Sequence, residues 1–283
     1  MGITVRLVQM TPVLGALAPN LEAHHAAIDR AAADGVDLLV FPELSLTGYH
    51  LRDLVPEVAL RLDSPQVAEL AARSERISLV VGFVEETPGF NFHNAALYLE
   101  GGEVQHVHRK VYLPTYGMFD EERYFGAGRE ARTFDTRHGR TGVLICEDVW
   151  HPSLPYVCAC DGMQQLIVPA NSPARGASLE QPASARSYDH MLCTYAELFQ
   201  CYVCFCNRVG CEEGVTFWGG SRVVAPDGAV VAQAPLLDPA ELTVEMDPGL
   251  VRRERARTQL LSDERIELTL RELQRIRRTR HSL

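Results

Sequence analysis

Positive charge is scarce in this 283-residue chain: 27 lysines and arginines stand against 37 aspartates and glutamates, for a formal net charge of -10 and a pI near 5.5. A nucleic-acid or anionic-membrane surface needs a basic face to neutralise phosphates, so both partners are excluded as expectations. The only basic density lies over residues 252–280, where Glu254, Asp263, Glu264, Glu267 and Glu272 are interspersed, the pattern of a solvated helical face. No run of 18 apolar residues offers a membrane helix, and residues 1–10 lack the basic, apolar, small-residue order of a signal peptide. Internal repeats, low-complexity stretches and composition breaks are also missing. With 46% hydrophobic residues, the chain reads as one large domain spanning 1–283, in a soluble cytoplasmic protein.

What the chain does have is eight cysteines, which in a cytosolic protein of this size are expected as free thiols. Cys201, Cys204, Cys206 and Cys211 resemble a metal site only loosely. Cys204 and Cys206 are two apart and share one face of a strand, whereas Cys201 points to the other. The segment 202–206 reads as a buried strand using cysteine as a small hydrophobe. Packing also accounts for Cys158, Cys160 and Cys193, and no metal is expected.

Apolar runs alternate with helical patterns along most of the chain. Strands are predicted at 3–9, 37–41, 77–84, 142–145, 165–169, 202–207 and 242–246, and hairpins at 95–107 across Gly101-Gly102 and at 221–234 across Pro226-Asp227-Gly228. Helices are predicted at 20–33, with Asn20 as cap, Leu21, His25, Ile28 and Ala32 along one face and Gly35 closing it, and at 65–74, 156–162 and 180–200. Residues 252–280 are helix-prone with a break near Ser262. The strand, helix, strand order implies parallel pairs with right-handed crossovers, and the whole an α/β layered domain.

One strand ends in chemistry. In 139–152 an apolar run delivers Cys146 directly before Glu147 and Asp148, two carboxylates that alone would suppress a thiolate. A reactive Cys146 therefore needs a base and a cation from elsewhere. Glu43 lies just past the strand 37–41, beyond a carboxyl end where ligands sit in parallel α/β sheets. Among Phe41, Leu44, Leu46 and Tyr49 it would be partly desolvated, as suits a general base. Lys110 ends the first hairpin and precedes an aromatic, proline-containing loop. Arg109 and Arg123 are rival cations that spacing does not separate from it.

Phe41-Pro42-Glu43, Arg109-Lys110-Val111-Tyr112-Leu113 and Leu144-Ile145-Cys146-Glu147-Asp148 stand in the order of the Glu-Lys-Cys triad of the nitrilase superfamily of carbon-nitrogen hydrolases, which the chain resembles over nearly its full length. Residues 119–125 leading to Gly128, Pro169-Ala170-Asn171-Ser172, Asn207-Arg208-Val209-Gly210 and Phe217-Trp218-Gly219-Gly220-Ser221 extend the likeness. The resemblance implies a four-layer αββα sandwich without cofactor. It implies Cys146 as nucleophile, Glu43 as general base, Lys110 as oxyanion stabiliser and Glu121, rather than Glu122, as the residue positioning the lysine. It also implies a homo-oligomer built on a dimer, with the helical tail 250–283 at the interface and Val251, Leu260, Leu261, Ile266, Leu268 and Leu270 covering a partner. Within the superfamily, residues 110–116, 119–121, 146–152 and 172–174 are most like the glutamine-amide-hydrolysing domain of glutamine-dependent NAD synthetase. That likeness implies Tyr116, Glu147, Trp150 and Ser172 as pocket residues, with Glu147 pairing with a substrate α-ammonium. No Ser-Gly-Gly-x-Asp-Ser nucleotide loop follows the hydrolase part, so ammonia is not expected to be channelled within this polypeptide. The expected activity is a stand-alone ω-amidase; an N-carbamoyl hydrolase and a catalytically silent binding protein are the alternatives.

Overall fold

Leu38 and Val40 pack on one side of their strand while Leu39 and Phe41 pack on the other, and this period-two alternation generates the architecture. The computed structural model describes residues 2–175 and 182–280. Two six-stranded sheets face one another. One runs Ala240–Met246, Ile3–Gln9, Leu38–Val40, Ser78–Glu86, Phe92–Glu100, Glu103–Arg109; the other runs Val230–Gln233, Arg222–Val224, Tyr202–Asn207, Gln165–Ala170, Gly139–Val143, Thr133–Thr136. The centre of each is a parallel trio, flanked by antiparallel strands. Helices Leu17–Ala33 and Pro65–Ala72 cover the first sheet through Ala27, Ile28, Ala31, Val67 and Leu70. Ser153–Cys160 and Ala183–Phe199 bury Cys158, Tyr188, Leu192 and Tyr195 against the second. The result is the expected α/β sandwich with layers αββα.

Tyr202–Asn207 shows why cysteine suits the middle of it. Cys204 and Cys206 point between the sheets, where the Cys206 thiol reaches the Val40 carbonyl at 3.3 Å and Cys204 meets the Met246 sulfur at 3.7 Å. A larger side chain would hold the layers apart. Cys201 is also buried, whereas Cys211 is exposed on the hairpin Val209–Glu212 and Val215–Trp218.

Several local expectations are corrected. Asn20 is not a helix cap: the helix begins at Leu17, and Asn20 is buried inside it, bonding Val13 through both its amide oxygen and nitrogen and the Leu46 carbonyl through the nitrogen. The buried face carries His24 and Ala31, not His25 and Ala32. The strand before Cys146 is Gly139–Val143, with the Leu144 N–H still donating to the Ile167 carbonyl at 3.0 Å just beyond its end. Glu180, the expected start of the helix observed as Ala183–Phe199, lies outside the described residues. In the tail, Pro248–Arg257 and Ile266–Arg280 are helices. Val251 and Leu261 pack on the chain's own core, while Leu260, Ile266, Leu268 and Leu270 are exposed. Among the described residues no helix is long and apolar enough to cross a membrane.

Candidate active site

The carboxyl ends of the parallel strands converge on one polar cluster between the sheets. Past Leu38–Val40, Pro42 ends the ladder and the chain turns through Leu44 at φ +46°, leaving Glu43 buried. Gly82 of the neighbouring strand seats that turn. A Cβ there would stand 2.4 Å from both the Pro42 carbonyl oxygen and the Leu44 nitrogen, so only glycine allows the approach. Past Gly139–Val143, Cys146 also adopts a left-handed conformation, φ +47°, at the start of a helical turn Cys146–Trp150. Non-glycine residues in that region persist where the surroundings over-determine them.

Lys110 joins the carboxylates. Its ammonium donates to Glu43 Oε1 at 2.7 Å and to Glu121 Oε1 at 2.6 Å, and all three side chains are at most 4% exposed. Glu43 receives two further donors, the Asn94 amide at 2.7 Å and the Asn171 backbone N–H at 2.7 Å. The apolar cage expected around Glu43 is thus only half of its environment. Glu121 accepts from the Tyr49 hydroxyl at 2.5 Å through the same oxygen that holds Lys110. Burial, with Glu43 adding to it, raises the Glu121 carboxyl to about 7 despite the pull of Lys110. Burial alone would lower the Lys110 ammonium, but Glu121 and Glu43 outweigh it and hold its pKa well above the usual lysine range. Cys146 completes the group. Its thiol is pushed well up by burial and then by Glu43, and is drawn down by Lys110 and by the Tyr188 hydroxyl 3.5 Å away.

Asp148 ties the two halves of this cluster together. One of its oxygens accepts the Val111 and Tyr112 amides, both at 2.9 Å and directly after Lys110; the other accepts the Ile145 amide at 3.0 Å, directly before Cys146, and binds His108 at 2.8 Å. Glu147 faces the other way, into a pocket of about 200 Å³ whose lining includes Cys146, Tyr116, Trp150, Ser172, Arg175 and Tyr188. The two neighbours of the cysteine therefore separate. The Tyr116 hydroxyl donates to both Glu147 oxygens at 2.9–3.0 Å, Ser172 accepts the Trp218 indole N–H at 2.9 Å, and Trp150 sits at the rim, 41% exposed.

All eight residues singled out in the sequence thus lie in the cluster or along its pocket. Of the rival cations, Arg109 is turned away to Glu85 at 2.6 Å and Arg123 is exposed. One sequence signal would have separated them: Lys110 is the only lysine in the chain, beside 26 arginines. Tyr188, Asn94 and Arg175 were not found in advance. Nothing in their local pattern marks them, since each reaches the site only through the fold.

Residues 4–256 match the carbon-nitrogen hydrolase family. A glutamine-dependent NAD(+) synthetase of Thermotoga maritima is 33% identical over 248 residues, covering 87% of this chain and 42% of that protein. The glutamine-dependent NAD+ synthetase of Acinetobacter baumannii superposes with a TM-score of 0.79 at 27% identity, over 89% of this chain and 47% of that one. The chain therefore spans less than half the length of these relatives. A carbon-nitrogen hydrolase from Helicobacter pylori G27, 23% identical, has the same fold over 94% of this chain and 96% of its own, with a TM-score of 0.83. Family match, sandwich and cluster agree, and the chain belongs to the carbon-nitrogen hydrolase family.

Proposed function

We propose that the protein is a thiol amidase that hydrolyses a small linear ω-amide of the glutamine type to acid and ammonia through a cysteine thioester. The observation that carries this reading is the buried Glu43–Lys110–Glu121 cluster set against Cys146 at a pocket whose walls hold both an anion and a cation. Glu43 takes the thiol proton and the thiolate attacks the amide carbon. The oxyanion is met by Lys110, and by the Glu147 backbone N–H, which lies in the first turn of Cys146–Trp150 where amides have no intrahelical acceptor. Glu43 returns the proton to the departing ammonia, then activates the water that opens the thioester. Glu121 holds and aims the lysine.

Glu147 is placed to receive a substrate α-ammonium. Arg175, whose guanidinium stacks 5.0 Å from the Tyr116 and Phe119 rings and forms no ion pair among the described residues, is placed for the α-carboxylate. Similarity to glutamine-dependent NAD synthetases supports glutamine as the amide. Ammonia release measured over a panel of ω-amides and carbamoyl amines tests the reading. Glutamine-like amides are expected to turn over best, and carbon dioxide released with the ammonia would replace it with carbamoyl hydrolysis.

Glu121 sets a pH dependence. The folded chain keeps this proton to about 7, whereas an ordinary glutamate loses it near 4.5. Stability from the protonated form is present below 4.5 and is lost as pH rises through 7, the range in which the ionised carboxylate secures Lys110. We expect kcat/KM to rise through pH 7 and Glu121→Gln to flatten that limb; an unchanged limb in the variant would assign it to another group.

We also propose a homo-oligomer built on a dimer, with the exposed Leu260, Ile266, Leu268 and Leu270 covered by the partner. A chain ending at Arg257 keeps Val251 in the core. It is expected to sediment as a smaller species than the full chain, and equal assembly of the two would remove the tail from the interface.

A further inference from the structure

Tyr188 is the buried titratable group beside the nucleophile that the reaction scheme above does not use. It lies on the helix Ala183–Phe199, is 1% exposed, and its ring is fixed by three aromatics: Trp150 edge-on at 5.5 Å, Phe205 at 4.6 Å and Trp218 at 6.0 Å. The hydroxyl is the part left to act. It stands 3.5 Å from Cys146 Sγ, a hydrogen-bond distance for sulfur, and both residues line the same pocket.

We propose that Tyr188 is a further catalytic residue, whose hydroxyl donates a hydrogen bond to the Cys146 thiolate and holds it in the attacking position. The inference rests on Cys146 as nucleophile but adds a donor that the Glu-Lys-Cys arrangement does not supply. Two of the three Lys110 N–H bonds are committed to Glu43 and Glu121, leaving one for the sulfur or the oxyanion. A thiolate formed in a buried site beside Glu43 therefore needs a second donor while the lysine turns to the substrate oxygen. The phenol can serve throughout, because burial and then the charge of Cys146 push its pKa well above the usual tyrosine value and it keeps its proton. A phenol that keeps its proton is the donor toward a thiolate, which has none to give. During the reaction the proton of Cys146 goes to Glu43, the sulfur lone pair forms the bond to the amide carbon, and the Tyr188 proton stays on Tyr188. When the thioester forms the sulfur loses its charge, the hydrogen bond weakens, and it is restored as the thiolate leaves again. Tyr188 thus favours the charged form of the nucleophile at both ends of the cycle.

Tyr188→Phe removes only the hydroxyl and keeps the three ring contacts. The probe is iodoacetamide, with alkylation of the Cys146 peptide followed by mass spectrometry as a function of pH. A hydrogen bond to a charged acceptor predicts on the order of tenfold to hundredfold slower Cys146 alkylation at neutral pH, with the reactivity profile moved to higher pH. The kcat for the amide should fall by a comparable factor while KM stays within about twofold. Tyr195→Phe, on the same helix, removes a buried hydroxyl that donates to the Val149 carbonyl at 2.8 Å, and is expected to leave the profile in place. An unchanged profile in Tyr188→Phe, or an equal displacement in both variants, overturns the proposal, the latter by making the effect structural. Because alkylation reports the sulfur alone, a failure of glutamine as substrate would leave this result standing. A wild-type Cys146 that alkylates no faster than the other buried cysteines would overturn both the nucleophile and its donor.

Discussion

Cys146→Ala is expected to lower kcat for ammonia release by on the order of 10⁵-fold or more while leaving the protein folded, as follows from removing the proposed nucleophile of a catalytic unit. In the proposed mechanism the loss is chemical, because nothing else in the cluster could form the thioester. The fold should tolerate the change for local reasons. The side chain removed is small, alanine meets the same backbone demand at φ +47° as cysteine does, and the Glu43–Lys110–Glu121 contacts do not pass through the sulfur. The unfolding free energy from urea titration is therefore expected within about 1 kcal/mol of the parent. Cys211→Ser, on an exposed hairpin position, should leave kcat unchanged. Intact-mass measurement with a slowly hydrolysed amide should find the acyl group on the Cys146 peptide of the wild type and none on the alanine variant. Wild-type protein that binds the amide but never gains mass would be a silent binding protein on this fold, and residual turnover by Cys146→Ala would move the chemistry to another residue.

How much of this was legible beforehand differs between the frame and the site. Runs such as Leu38–Val40 and Gln165–Ala170 are apolar on both faces and bounded by turns, so the parallel strands could be read directly. Thr133–Thr136 could not: it is a polar edge strand of four residues with no apolar period to announce it. The hairpin Val209–Glu212 and Val215–Trp218 was hidden in the same way, by strands of only four residues each joined across Glu213-Gly214. Asn20 looked like a cap because asparagine favours that position, and burial among three backbone groups overrode the propensity. For the site, types and order of residues were readable while proximity was not. Asn94 reaches Glu43 across 51 positions, and Tyr188 reaches Cys146 across 42. Those links are set by strand order, which no local window contains.

Lys110→Met is the variant for which the largest loss of stability is expected, because it leaves two buried carboxylates facing each other without a cation. Removing one partner of a buried ion pair typically costs about 3–5 kcal/mol, the penalty lying in the charge left behind. Here Glu43 and Glu121 share the one ammonium at 2.7 and 2.6 Å, so one of them must capture a proton, and Glu121, already raised to about 7, is the one to do so. The loss should accordingly be greatest at alkaline pH and smaller at pH 5, where the proton is available. Activity should fall by on the order of 10³-fold or more, since oxyanion stabilisation and the charge that favours the thiolate leave together. A chain that uses arginine at every other cationic position has a lysine here. Lys110 is 1% exposed between two carboxylates, and the planar guanidinium is wider than the ammonium it would replace. Lys110→Arg is therefore expected to recover neither stability nor rate. The triple replacement Glu43→Gln, Lys110→Met, Glu121→Gln separates the two effects. With no charge left to desolvate, it should regain most of the urea midpoint lost by Lys110→Met and none of the activity. A Lys110→Met protein with an unaltered midpoint at pH 8 would mean that the lysine does not neutralise the two carboxylates. A triple variant no more stable than the single one would assign the loss to packing instead of charge.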